Sequence, residues 1–176
     1  MPTEEPLSVV ECLKITAQSV FVRKFIRPTP WIEALTTGDM TRVVEEFRDE
    51  DGVSLWCVQS DKELRRVAIA LNEGRDSFHE SLDLLPILPE ELRQIGIACT
   101  QTPGGTSCPP AAALHYEATM DDSKRRGLLQ VLLAAKRSLG RCTKGKMKRA
   151  ASLSEEEGCF ALKEDSTTCA CGETRP

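Results

Sequence analysis

Aromatic residues are scarce in this chain, 5% of 176 residues, and it has only two histidines, His79 and His115. Few aromatics leave little material for stacking on nucleobases. No apolar run reaches the roughly eighteen residues that a membrane-spanning helix needs. The acidic start, Met1 to Glu5, lacks the basic flank of a secretory leader. A cytoplasmic location is therefore expected. There is no GxSxG nucleophile elbow, and Gly104–Gly105 is not followed by the Lys and Ser or Thr of a phosphate-binding loop.

One further absence is local. Residues 124–149 contain ten basic side chains and no acidic one, whereas residues 1–123 carry 11 basic and 21 acidic, and residues 150–176 carry 2 and 6. The overall charge of −4 hides this segregation. A cationic stretch joined to an anionic body attracts an acidic protein surface, phosphates or anionic lipid. The bland alternative is a solvated helix that satisfies the acidic body of its own chain.

The clearest folding signal runs from Val53 to Ile97. Val53, Leu55 and Cys57, interleaved with Ser54, Trp56 and Val58, predict a strand. Ser60 with Glu63 has capping-box spacing, and Leu64, Val67, Ala68 and Leu71 follow at helical period up to Gly74. Leu82, Leu84, Leu85 and Ile87 form a second strand, which Pro86 suggests is at an edge. Pro89 opens a short helix that Gly96 closes. A strand, a helix and a strand suggest a crossover onto a parallel or mixed sheet, with the missing strands supplied before Val53 or by another chain.

Upstream, residues 7–26 predict a helix followed by a strand, then a helix from Thr29 to Gly38 and one capped by Asp39 with Val43, Val44 and Phe47 inward. Downstream, Thr102–Pro110 holds two glycines and three prolines and reads as a linker. Leu128, Leu129, Val131, Leu132 and Leu139 predict a helix running to Gly140. The expected architecture is therefore α+β, or small α/β. A compact domain at 7–97 has a short mixed sheet of two to four strands with helices packed on it. A linker follows at 98–120, a basic amphipathic helix and extension at 121–149, and a disordered acidic tail at 150–176.

Reactive chemistry finds little support. Arg75, His79 and Glu80 could hold a phosphate and move a proton, as RNA cleavage without metal requires, but they serve equally well to tie a loop. Cys99, Cys108 and His115 could offer three metal ligands, yet their spacings lack the close pair common in structural zinc sites. No cofactor is expected, and the eight cysteines are expected to be reduced thiols. The leading expectation is a non-catalytic accessory or adaptor protein. Its basic helix would engage an acidic protein, or another copy of itself, through Lys124, Arg125, Arg126, Leu128, Leu132, Lys136, Arg137, Arg141, Lys144, Lys146, Lys148 and Arg149. A nucleic-acid-binding or RNA-cleaving protein is the alternative.

Overall fold

Three strands with apolar side chains on both faces make up the middle of the molecule. The computed structural model describes residues 19–25, 29–48, 52–72, 79–106 and 108–153. In it, β1 (Val20–Phe25) lies between β2 (Val53–Val58) and β3 (Ser81–Ile87) and pairs antiparallel with both. Phe21 stands opposite Cys57 on one side and Ile87 on the other. β2 and β3 therefore run parallel to each other without touching, and α3 (Asp61–Ala70) links them in the chain. The strand that completes this unit comes from before Val53.

Three more strands extend the sheet. β4 (Ala98–Gln101) and β5 (His115–Thr119) add to the β2 side, and β6 (Gly140–Thr143) adds to β3. The order is β4-β5-β2-β1-β3-β6, with every adjacent pair antiparallel. The expected mixed sheet of two to four strands is thus corrected to six antiparallel strands within a mixed α and β fold. The residues read as a linker, 98–120, hold β4, the short α5 (Pro109–Ala112) and β5. Pro103, Gly104 and Gly105 lie in the connection after β4, and Pro109 and Pro110 open α5. Pro86 sits in an interior strand, which is possible because β6 pairs only with Ser81 to Leu84 and stops before it.

Strand alternation divides the core between the two faces. On one, Val20, Val22, Trp56, Val58, Leu82 and Leu84 pack against Leu64, Val67 and Ala68 of α3 and Met147 of α7 (Lys144–Leu153). On the other, Phe21, Phe25, Leu55, Leu85 and Ile87 meet α1 (Thr29–Thr37), α2 (Thr41–Glu46), α4 (Pro89–Gln94) and α6 (Asp122–Ala134). The result is helix, sheet, helix in three layers. The early helix expected ahead of the first strand within residues 7–26, and the tail beyond Leu153, lie outside the described residues.

Most helix ends follow their sequence signals. The Ser60 hydroxyl accepts from Glu63 N–H at 3.2 Å, while the Glu63 carboxylate reaches back to Gln59 N–H at 2.6 Å, one residue earlier than a standard capping box. The Asp39 carboxylate accepts from Thr41 N–H. Gly96, at φ +70°, lets Ile97 N–H return to the Leu92 carbonyl.

The end of α6 is different. The helix stops at Ala134 rather than running to Gly140, and Lys136 takes the left-handed position, φ 47°, usually given to glycine. Arg137 N–H then closes on the Leu132 carbonyl at 3.0 Å. The early stop frees Gly140 to enter β6 opposite Leu84. Because a side chain in this conformation is strained by about 1 kcal/mol, Lys136→Gly is expected to stabilise the fold by about that much. Denaturant unfolding of the two proteins checks this through a higher midpoint at unchanged slope.

Candidate interaction surface

The cationic segment 124–149 does not form one continuous surface. On α6, Leu128, Leu129 and Leu132 are fully buried and Leu139 is half-buried beside them. The aliphatic face expected to meet a partner is therefore part of the core. Arg125 is buried with it: its Nε donates to the Phe47 carbonyl at 2.8 Å and its other nitrogens reach Asp122 and the Met120 carbonyl. Arg23 of β1 holds the same end of α2 from the sheet side, donating to the Glu46 carbonyl at 2.8 Å and the Ser54 carbonyl at 3.1 Å. Two arginines thus cap carbonyls that the end of a helix leaves open.

Other cations are also taken up internally. Arg137 pairs with Glu91, whose second oxygen accepts from Leu88 N–H at the start of α4. The Arg137 carbonyl accepts from Trp31 Nε1 at 2.9 Å. Arg141 pairs with the fully buried Asp83, its partner in strand register, at 3.2 Å. That contact raises the Arg141 guanidinium above its ordinary pKa, chiefly through the hydrogen bond and then through the Asp83 charge.

The remaining cations divide between the two helical layers. Arg126 and Lys136 are exposed and Lys124 half-buried on and just after α6. On the other layer, Met147 is the one buried side chain among the described residues of α7, seated on the core and touching Asn72 Nδ2 through its sulfur at 3.2 Å. Asn72 also accepts from His79 N–H at 2.7 Å, which ties the end of α3 to the approach to β3. Beside the buried Met147, Lys144 and Lys146 are half-buried and Lys148 is exposed, on a helix that directly follows β6, the strand of Arg141. The side chain of Arg149 lies outside the described residues.

The expected RNA-cleaving set is described only in part. Arg75 lies outside the described residues. His79 is half-buried, and the Glu80 carboxylate bonds Lys144 Nζ at 2.6 Å. That hydrogen bond, the Lys144 charge and, to a lesser degree, Lys148 hold Glu80 below the usual carboxylate range. It is thereby kept ionised and engaged.

The three proposed metal ligands are separated. Cys99 stands opposite Ala118 and packs towards the α6 layer, whereas His115 stands opposite Trp56 on the other face of the sheet. Cys108 is disulfide-bonded, with its partner outside the described residues, so the expectation of reduced thiols fails there. Among the described residues no three metal-capable side chains converge. Burial pushes the Cys99 thiol up to about 11, with Cys57 adding to the shift. Cys57 is raised by burial and then by Glu63. Thiols held protonated in this way are poor nucleophiles.

His115 is instead an interior residue. Its Nδ1 lies 2.6 Å from the Thr102 carbonyl, which can only accept. Nε2 and the neighbouring Trp56 Nε1 are both buried without a hydrogen-bond partner. Gly105, at φ +73°, closes over the pair so tightly that a Cβ there would lie 3.0 Å from each ring.

No family model, curated protein or solved structure matches this chain. The sequence signals missed at the outset were charges inside apolar strands, Arg23 after Phe21-Val22 and Asp83 between Leu82 and Leu84. Each marks a buried ionic or capping contact rather than solvent exposure.

Glu80 provides a pH test of the Lys144 contact. Its lowered pKa means the pair is complete above the ordinary value of 4.5 and is lost as pH falls through the lower folded value. Following the Glu80 carboxyl carbon by NMR is expected to give a midpoint below 4.5 that rises in Lys144→Met.

Proposed function

We propose that the chain is a non-catalytic accessory or adaptor protein that engages an acidic protein partner through the β6–α7 edge. One observation carries this reading. Lys144, Lys146 and Lys148 lie on a helix that directly follows the edge strand carrying Arg141, and among the described side chains of that helix only Met147 is buried. Glu80, the exposed carboxylate bonded to Lys144, is the acid a partner's carboxylates would compete with.

The surface differs from the one expected on sequence grounds. It uses the basic extension and omits the leucines of α6. An acidic peptide fits it better than nucleic acid does, because the cationic segment supplies no aromatic side chain for stacking and the chain as a whole is acidic, with a pI near 5.4. No helix among the described residues is long and apolar enough to cross a membrane. A cytoplasmic location belongs to the same proposal. The free thiols of Cys57 and Cys99 favour it and the Cys108 disulfide opposes it.

Retention of the full chain on immobilised polyglutamate and on single-stranded RNA, at low and high salt, tests the reading. The expected result is salt-sensitive retention on polyglutamate that Lys144→Glu/Lys146→Glu/Lys148→Glu abolishes and Arg126→Glu/Lys136→Glu leaves intact. Retention unaffected by the α7 substitutions overturns it. Stronger retention on RNA would transfer the surface to nucleic acid.

A further inference from the structure

The two edges of the sheet are finished differently. β6 carries Arg141, runs directly into α7 and is followed by Lys144, so charge and a helix stand at that edge. Charge of this kind is a usual protection against unwanted strand pairing. β4 has none of it. Ala98, Cys99, Thr100 and Gln101 are uncharged, and Ala98, Thr100 and Gln101 are exposed. No strand among the described residues pairs with its outer side.

The register says which backbone groups face outward. Thr102 N–H donates to the His115 carbonyl, so in the alternating antiparallel pattern Thr100 and Ala98 turn their amides and carbonyls towards β5. The amides and carbonyls of Cys99 and Gln101 then point away from the sheet. The α6-side core is also open at this end. Ile95, Cys99, Tyr116 and Met120 pack on it and are only partly buried.

We propose that β4 is a self-pairing edge, through which two copies of the chain join their sheets antiparallel about a two-fold axis at Thr100. In this register Cys99 of one copy exchanges both backbone hydrogen bonds with Gln101 of the other, and the reciprocal pair does the same. The two Thr100 residues face each other as a close, non-hydrogen-bonded pair, an arrangement that suits threonine. Cys99 of each copy falls beside Gln101 of the other on the α6 face, which extends the open end of that core across the joint. Pairing ends one step further out. Pro103 has no N–H to give, and Ile97 N–H is already bonded to the Leu92 carbonyl.

A second copy is favoured over a charged peptide because an uncharged edge brings no like charges together on self-pairing and offers none to select a partner. The interface is short, so the association is concentration-dependent. It is independent of the β6–α7 surface, which it would place at both far ends of a continuous sheet.

Sedimentation equilibrium of the full chain up to about millimolar concentration tests this. Wild type is expected to show a monomer–dimer equilibrium. Thr100→Lys and Thr100→Glu, each placing like charges opposite one another, are expected to weaken self-association about fivefold or more. An equimolar mixture of the two variants is expected to recover it, since opposite charges then meet. Thr100 is exposed, and far-UV circular dichroism reports whether each variant is folded. Recovery in the mixture cannot arise from a misfolded component. A wild type that stays monomeric, a dimer indifferent to both variants, or a mixture that fails to recover each overturns the proposal.

Discussion

β1 has apolar side chains on both of its faces, with Val20 and Val22 turned to one layer and Phe21 and Phe25 to the other. A strand in that position must be paired along both edges and covered above and below, or its backbone and side chains remain in water. The remaining architecture follows from meeting those demands. β2 and β3 take the two edges, α3 and α7 cover one face, and α1, α2, α4 and α6 cover the other. Of the two charges within β1, Arg23 is buried and is kept inside by donating to the Ser54 and Glu46 carbonyls and by lying 5.8 Å from the centre of the Phe47 ring, whereas Lys24 is half-buried.

The same demand decides what becomes of the cationic segment. A second helical layer requires apolar cover, and α6 supplies it with Leu128, Leu129 and Leu132. Its buried arginine and the neighbouring Arg137 become fasteners, one on the end of α2 and one on Glu91. Arg126 and Lys136 remain exposed on and just after α6, and charge gathers again past Gly140, where β6 forms one edge of the sheet and runs into α7. Segregation of charge along the chain is therefore real, yet about half of the segment serves the fold.

The legible parts of the fold were those with a strong local period. Trp56 and its neighbours, the Ser60–Glu63 pair and the Pro89–Gly96 helix all lie where their residues place them. The left-out strands were short and lacked that period. Ala98–Gln101 is an exposed edge of four residues, and His115–Thr119 mixes His, Tyr and Glu among two small residues, so neither looks apolar in sequence. The glycines and prolines between them suggest a loop or linker, whereas Pro109 and Pro110 open a short helix there. The strand directions were not legible either, because β1 enters between β2 and β3 from earlier in the chain. For the surface, composition located the cations, but nothing in a charge count distinguishes Arg125, whose guanidinium reaches a backbone carbonyl indoors, from Lys148, which stays wet.

The central claim is that α6 belongs to the cooperative core while the cationic surface begins after it. Native-state amide hydrogen exchange, resolved by residue, tests this most directly. The amides of Leu128 to Leu132 should open only with the whole molecule, at the same free energy as Val22 and Leu55. If α6 exchanged through a separate, lower-energy opening while β1 stayed protected, the helix would be an appendage and the account would be contradicted.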